Sequence, residues 1–336
     1  MNLNNREPLI APDYDLQALL ELAEIVEARG FDSLWVGDSL FSKPRYEAMT
    51  LMAALSQRTR RVKIGTACVV VTTRNPLYLA LEWATVDQLS GGRTIFGPCM
   101  GNPEKGVRRE FEAVGLPFKD RATIFEEILE IVLQLWTEKK TSFKGKYFNY
   151  DEIEFSSGTE MEPLAPLQQP PPRWIVSNPR LVGDPGAEKA RRIMERAADR
   201  IIKFGDGWMT CCRAEHPEEL TEQIGYLEQA AARHERNFAD YTVSYQVTMN
   251  IGDTKEEARA SFSDYISKYY PELSEMMDLS NWGPVGTPDD IVAWLREFAD
   301  RGVDHFICRF GAIDQFAQVE RFASEVLPQF DAERVG

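Results

Sequence analysis

The chain has 336 residues, of which 43% are hydrophobic and 11% are aromatic. This composition is sufficient for a large packed core, and α/β barrels reach this length as one domain. The net charge of −15 argues against a nucleic-acid partner, because an acidic surface repels phosphate backbones.

The start of the chain has no basic segment followed by an apolar run, and no apolar run reaches the ~18–20 residues that span a membrane. The five cysteines are odd in number and show no CxxC spacing, so we interpret them as reduced thiols of a cytoplasmic protein. The three histidines are His216, His234 and His305. They are not spaced as metal ligands usually are, so no metal site is predicted.

In the first half of the chain, amphipathic segments alternate with short apolar runs. Apolar positions at helical spacing predict helices at Leu16–Arg29, Tyr46–Thr59, Leu77–Leu89 and Arg121–Thr137. β-Branched runs predict strands at Phe31–Gly37, Val62–Val71 and Arg93–Cys99. The second of these strands is nearly continuously apolar, as expected of a strand that is buried on both faces.

Two stretches interrupt the alternation, and we interpret both as insertions. Residues 140–172 contain KTSFKGKYFNY, which predicts a small hairpin, and the proline-rich LAPLQQPPPRW. Residues 261–283 are rich in aromatics and Met, which favours packing or a dimer contact. A lid over the active site is the alternative for this second stretch.

The second half resumes the alternation. The same patterns predict strands at Arg173–Ser177, Asp206–Cys212, Tyr241–Gly252 and Val303–Phe310, and helices at Gly186–Lys203, Pro217–His234, Lys255–Tyr270, Pro288–Arg301 and Phe316–Leu327. With a first strand at MNLNN, eight strands alternate with helices, which predicts one (β/α)₈ TIM barrel domain over residues 1–336. A doubly wound sheet is the competing architecture, but its usual GxGxxG turn is absent.

On such a barrel, catalytic and binding residues lie at the C-terminal ends of the strands. One of these ends is FGPCMGN, Phe96–Asn102, in which Cys99 lies between two glycines. A nucleophilic cysteine needs a partner, usually a histidine, that lowers its pKa, and none of the predicted strand ends carries a histidine. We therefore interpret Cys99 as the wall of a pocket.

Five stretches carry a family likeness: GFDSLWVGDSL (Gly30–Leu40), ATVDQLSGGRTIFG (Ala84–Gly97), EFEAVGLPFKDRATIFEEI (Glu110–Ile128), ADRIIKFGDGWMT (Ala198–Thr210) and VGTPDDIVAWLREFADRGVDHFICR (Val285–Arg309). In this order and spacing they resemble the bacterial luciferase-like flavin oxidoreductases, a superfamily of (β/α)₈ barrels. The resemblance implies a cofactor at the barrel mouth, either reduced flavin mononucleotide (FMN) or the deazaflavin coenzyme F420. It also implies a homodimer, since members of the family commonly dimerise.

The resemblance further implies a set of cofactor contacts: Ala67, Cys68, Cys99, Met100, Gly101, Arg121, Ser177 and Asn178. Family members often have a non-proline cis peptide where this chain has Ala67–Cys68, although two small core residues are the alternative. Luciferases have a cysteine at the place of Cys99, followed by an arginine where this chain has Met100. Arg121 matches an arginine near the flavin phosphate, with a surface ion pair as the alternative.

The candidate catalytic residues are Asp38, Ser39 and Asn102. The resemblance implies that deazaflavin-dependent sugar-phosphate dehydrogenases of this family have Asp–His at the first two positions and Glu at the third. The His and the Glu, which would transfer protons, are replaced here by Ser39 and Asn102. This favours a two-component monooxygenase that uses reduced FMN, O₂ and a separate flavin reductase on a small organic substrate. An F420-dependent hydride transfer and a non-catalytic flavin-binding homologue are the alternatives. Arg309 is a candidate for an anionic substrate, with a structural salt bridge as the alternative.

Overall fold

The computed structural model describes residues 1–3, 5–6, 15–138, 140–155, 162–178, 187–211, 217–269 and 282–330. The α-helices of these ranges are α1 (Leu16–Ala28), α2 (Ala48–Arg58), α3 (Pro76–Ser90), α4 (Lys105–Ala113), α5 (Arg121–Thr137), α6 (Ala187–Phe204), α7 (Pro217–Arg233), α8 (Lys255–Tyr269), α9 (Pro288–Ala299) and α10 (Gln315–Arg321). None of them combines the length and the apolar character that crossing a lipid bilayer requires.

The strands are β1 (Ser33–Val36), β2 (Lys63–Thr66), β3 (Val69–Val70), β4 (Thr94–Ile95), β5 (Pro98–Cys99), β6 (Thr141–Lys144), β7 (Asn149–Ile153), β8 (Trp174–Val176), β9 (Gly207–Thr210), β10 (Thr242–Ile251), β11 (Val285–Gly286) and β12 (His305–Phe310). Helices and strands alternate along most of the chain as predicted, but α4 and β11 were not predicted, and α5 follows α4 without a strand between them. The chain forms two compact units, one of residues 36–173 and one of residues 1–35 with 174–336. Each unit is described by itself.

Helix starts follow ordinary capping chemistry, which explains why the predicted bounds are close to the observed ones. The side chain of Asp15 accepts from the backbone N–H of Ala18 at the start of α1, and Asn75 caps α3 with Pro76 in its first turn. Thr287 and Asp290 form a capping box at α9. These caps fix where each helix leaves the strand end that precedes it.

In the unit of residues 36–173, the two long predicted strands are both interrupted. The predicted strand Val62–Val71 divides into β2 and β3, and a cis peptide bond joins Ala67 and Cys68 between them. The predicted strand Arg93–Cys99 divides at Gly97 into β4 and β5. β2 pairs with β4 and β3 with β5, both in parallel. A Cβ on Gly97 would lie 1.9 Å from the carbonyl oxygen of Thr66, so glycine is required at this close approach.

An aromatic core holds this unit together. Trp83 contacts Phe96 edge to face, with ring centroids 4.6 Å apart, and Phe96 contacts Trp136 in the same way at 5.3 Å. All three side chains are buried, and the indole N–H of Trp136 donates to the carbonyl oxygen of Ala80. The cluster joins α3 and α5 to Phe96, which lies between β4 and β5 in the chain. The predicted hairpin in the first insertion is also present, as the antiparallel pair β6 and β7.

In the other unit, β10 is the central strand. It pairs in parallel with β9, β11 and β12, and β9 pairs in turn with β8. The predicted first strand MNLNN is reduced to a single parallel bridge between Asn2 and Trp35. The predicted helix Phe316–Leu327 is also different, since α10 gives way to a π-helical turn at Phe322–Val326.

The second insertion is described only at its two ends, since residues 270–281 lie outside the described ranges. On α8, four side chains are buried together: Phe262, Tyr265, Ile266 and Tyr269. Trp282, Val285 and Ile313 pack against them. The described part of this stretch therefore packs against its own unit.

Candidate active site

Asp38, just beyond the end of β1, supports the chain that carries Cys68. Its carboxylate accepts from the backbone N–H of Val70 at 3.0 Å and from the Arg74 guanidinium at 2.8 Å. Arg74 also contacts Glu47 at 2.8 Å. Burial alone lowers the pKa of Arg74, but these two carboxylates outweigh it and raise that pKa. Asp38 is thus bound in a strand-end network that fixes β3.

Cys68 and Cys99 lie together at the ends of paired strands. Their sulfur atoms are 2.7 Å apart, and Cys99 is buried while Cys68 is partly exposed. The hydrogen bond to Cys99 and then burial raise the pKa of Cys68 well above its usual value. A thiol that stays protonated at neutral pH is a poor nucleophile. This environment does not favour Cys68 as a nucleophile, and the interpretation of Cys99 as a pocket wall stays a prediction.

The turn after β5 lies close against α4. Gly101 has a positive φ of 76°, and a Cβ there would lie 2.9 Å from a methyl group of Val107 and 3.6 Å from Val70. The carbonyl oxygen of Met100 accepts from the Thr72 hydroxyl at 3.3 Å. Glycine at position 101 therefore lets this turn pack closely against α4.

Ser39 is held by a buried carboxylate that the sequence analysis did not identify. Glu110 on α4 is 0% exposed, and its Oε1 accepts from the Ser39 hydroxyl at 3.0 Å and from the backbone N–H groups of Phe41 and Ser42 at 2.8 and 2.6 Å. Asn102 donates to Glu104 at 2.7 Å. The sequence feature that could have identified Glu110 as buried is its position on the apolar side of α4, beside Phe111 and one turn after Val107.

Arg121, the first residue of α5, stacks on an aromatic ring. Its guanidinium carbon lies 4.4 Å from the ring centroid of Phe118, and that of Arg108 lies 4.3 Å from the same ring. These contacts hold two cations at the start of a helix. The phosphate contact of Arg121 stays a prediction.

In the unit that contains β8, the predicted residues Ser177 and Asn178 connect two strand ends. The Asn178 side-chain oxygen accepts from the backbone N–H of Cys211 at 2.7 Å and from the Thr210 hydroxyl at 3.2 Å. The Trp208 indole N–H donates to the carbonyl oxygen of Ser177 at 2.9 Å. The predicted loop that follows, residues 179–186, lies outside the described ranges.

Arg309 lies toward the C-terminal end of β12 and is 9% exposed. It donates to the Thr248 hydroxyl through Nε at 2.9 Å and Nη2 at 2.6 Å. Its guanidinium lies 5.5 Å from the ring of Tyr269 and 5.8 Å from that of Trp282. The sequence analysis did not anticipate Thr248, and the substrate role of Arg309 stays a prediction.

A family model described as luciferase-like monooxygenase matches residues 3–305. The chain belongs to this family. It is therefore placed among oxidoreductase enzymes, as the sequence analysis predicted.

Curated relatives of similar length are F420-dependent enzymes. The F420-dependent glucose-6-phosphate dehydrogenase of Amycolatopsis mediterranei (strain U-32) is 25% identical over 335 residues, which cover 96% of this chain and 97% of that protein. The enzyme of the same name from Rhodococcus erythropolis (strain PR4 / NBRC 100887) is 25% identical and covers 96% of each chain.

Solved structures of the same fold cover nearly the whole chain. The monooxygenase RslO1 from Streptomyces bottropensis has a TM-score of 0.78 at 20% identity, with 98% of each chain covered. The coenzyme F420-dependent tetrahydromethanopterin reductase from Methanopyrus kandleri has a TM-score of 0.73 at 18% identity, covering 95% of this chain and 97% of that one. These likenesses confirm the predicted luciferase-like TIM barrel fold with insertions.

Proposed function

We propose that this protein is an F420-dependent oxidoreductase, which transfers a hydride between the deazaflavin and an organic substrate without using oxygen. The observation that carries the proposal is the full-length similarity to F420-dependent dehydrogenases, 25% identity over 96% of the chain. This changes the order of the two functions that the sequence analysis favoured. The hydride-transfer alternative now comes first, and FMN-dependent monooxygenation comes second.

The residues around Cys68 and Cys99 fit a deazaflavin. A planar tricyclic ring needs a flat surface, and the proposal places it against the cis peptide Ala67–Cys68 and the Cys99 thiol. Glycine at position 101 is required where this turn packs against α4, since a Cβ there would lie 2.9 Å from Val107. When bound, the deazaflavin supplies the hydride acceptor or donor. Arg121 is the candidate for a phosphate of the cofactor, because a guanidinium suits phosphate oxygens.

The protein side of the reaction differs from a sugar-phosphate dehydrogenase. The Ser39 hydroxyl is bound to Glu110 at 3.0 Å, and the Asn102 amide is bound to Glu104 at 2.7 Å. Neither side chain is an acid or base near neutral pH, whereas proton transfer with a sugar hydroxyl benefits from one. The proposal therefore assigns this protein a substrate other than glucose-6-phosphate.

An anaerobic assay tests the proposal. Purified protein would be mixed with oxidised F420 and a panel of alcohols that includes glucose-6-phosphate, and with reduced F420 and a panel of ketones and activated alkenes. The expected result is a change in the visible absorption of F420 with at least one substrate, and little with glucose-6-phosphate. Turnover that requires reduced FMN and O₂, with none on F420, would overturn the proposal.

A reduced-FMN monooxygenase is the second candidate. It is favoured by the hydrogen bonds that Ser39 donates to Glu110 and Asn102 donates to Glu104, because neither side chain is then an acid or base. Oxygen activation by reduced flavin needs few protein acids or bases. A separate flavin reductase would then supply the reduced flavin. Oxygen consumption by protein with reduced FMN, measured above the free-flavin control, tests this candidate.

A further inference from the structure

A cavity of about 530 Å³ lies at the N-terminal ends of β1 and β12, within the unit of residues 1–35 and 174–336. This volume is in the range of small-molecule sites, roughly 300–1,000 Å³. Most of its lining is apolar and comes from α9, β12 and the C-terminal turns, including Leu295, Phe306, Phe322 and Phe330. Arg309, in contrast, lies toward the C-terminal end of β12.

The side chain of His305 is a polar group in this lining that is held by several contacts. The imidazole of His305 makes edge contacts with Trp35 and Trp174, with ring centroids 6.0 and 5.1 Å away. The two indoles stack on each other at 5.1 Å. His305 Nε2 lies 2.9 Å from the Ser33 hydroxyl, and the Trp35 indole N–H donates to that hydroxyl at 2.7 Å. The ring is thus held in one orientation.

This network assigns the proton on the imidazole. An indole N–H only donates, so the buried Ser33 oxygen accepts from Trp35 and still has one proton to give. Among the described residues, the acceptor within reach of that proton is His305 Nε2. With the Ser33 proton directed to Nε2, the ring N–H is at Nδ1, and this is the tautomer that the proposal uses. No described protein group accepts from Nδ1, and this atom is not among the buried unpaired ones, so a bound molecule can reach it.

The charged groups around the cavity disfavour anionic ligands. Burial lowers the pKa of His305 to about 4, so the ring is neutral at physiological pH. Asp32 and Asp304 are lining residues that are exposed, and their carboxylates repel anions. The amino group of Met1 also lies at the cavity and donates to the carbonyl oxygen of Ser33, and burial lowers its pKa to about 6. Most lining residues are apolar, and four are polar: Asp32, Ser33, Asp304 and His305. Because the Met1 amino group already donates to Ser33, the imidazole N–H is the donor that suits a neutral molecule with one acceptor atom.

We propose that this cavity is a second small-molecule site, for a neutral and mainly apolar ligand that presents a carbonyl oxygen to His305 Nδ1. The site does not depend on the proposed F420 chemistry, because it is built from the other ends of the strands. An aryl ketone or an amide is the chemical class that fits.

Titration with the neutral naphthyl ketone dye Prodan tests the site, because its fluorescence reports an apolar environment. Ala299 is an exposed lining residue on α9, and Ala293 is an exposed residue of the same helix that does not line the cavity. Ala299→Phe fills the cavity, so Prodan should bind the wild type and Ala293→Phe equally and Ala299→Phe at least about tenfold more weakly. Absence of saturable binding to the wild type, or equal binding to the two variants, would overturn the proposal.

A second comparison tests the hydrogen bond. His305→Phe keeps an aromatic ring against the edges of the two indoles and removes the N–H donor. The wild type should prefer Prodan over the same naphthylamine without the ketone by about fivefold or more, and His305→Phe should lose this preference. A preference that is unchanged in His305→Phe would overturn the assigned contact. Thermal unfolding of each variant checks that it is folded.

Discussion

The thiols of Cys68, just before β3, and Cys99, the last residue of β5, lie together, and their surroundings decide what they can do. The Cys68 and Cys99 sulfur atoms are 2.7 Å apart, and the pKa of Cys68 is raised by its bond to Cys99 and by burial. A catalytic cysteine requires the opposite, a lowered pKa. At this scale, the structure favours a wall that a ring can lie against over a nucleophile.

Cys99→Ala tests the role of this wall. The substitution removes one sulfur atom and keeps a small, uncharged side chain, so cofactor binding should weaken a few-fold and activity should persist. The loss of stability should be about 1 kcal/mol, as for other small buried truncations. Cofactor titration and thermal unfolding would be compared with Cys211→Ala, which changes a partly exposed thiol. An inactive Cys99→Ala that binds cofactor normally would show that the thiol takes part in chemistry.

His305 makes a prediction about pH. Burial lowers its pKa from 6.5 to about 4, so the folded protein binds fewer protons than the unfolded chain between these values. Stability should therefore fall as pH decreases from 6.5 to about 4, by up to about 1.4 kcal/mol per pH unit from this residue. Urea unfolding of wild type and His305→Phe across this window measures the contribution.

The matched control for this experiment is His234→Phe. His234 is exposed, so its replacement removes an imidazole without changing a buried one. The His305 account predicts a shallower slope only for His305→Phe. Parallel slopes for wild type and His305→Phe would contradict it.

Among the elements, the sequence predicted helices better than strands. The prediction for α5, Arg121–Thr137, matches the structure at both ends, because its apolar spacing and its breaks are local features. The strand predicted at Val62–Val71 is divided at Ala67–Cys68, and β11 was missed. Such interruptions depend on the neighbouring strand, because the Thr66 hydroxyl forms hydrogen bonds with the backbone of Gly97. The residue pattern of one strand does not show which residues of another strand it will contact.

The hairpin of β6 and β7 depends on one carboxylate of α5. Glu127 is buried, and its two oxygens accept from the backbone N–H groups of Lys146, Tyr147 and Phe148 at 2.7, 2.9 and 3.1 Å. Glu127→Ala should leave these donors without their acceptor, which costs about 1–3 kcal/mol. Amide hydrogen exchange should accelerate in residues 141–153 and not in α3.

Glu138→Ala is the control for the hairpin experiment, because Glu138 is exposed at the C-terminal end of the same helix. It should leave both the stability and the exchange of the hairpin near wild type. If Glu127→Ala gave the same exchange pattern as this control, the anchoring role of Glu127 would be wrong.

For the whole molecule, the order of strands and helices predicted the barrel, and family membership confirmed its luciferase-like type. The cofactor was harder to predict. The small residues at Cys68, Cys99 and Gly101 suit any flat tricyclic ring, so they do not separate FMN from F420. Glu110, Arg74 and Thr248 were missed because their roles depend on contacts between elements that are distant in sequence.

The choice of cofactor is the central claim, and an equilibrium titration tests it most directly. The same purified protein would be titrated with oxidised F420 and with FMN, and binding followed by the fluorescence of each cofactor. The account predicts saturable binding of F420 that is at least about tenfold tighter than that of FMN. Tighter binding of FMN, or no saturable binding of F420, would contradict it.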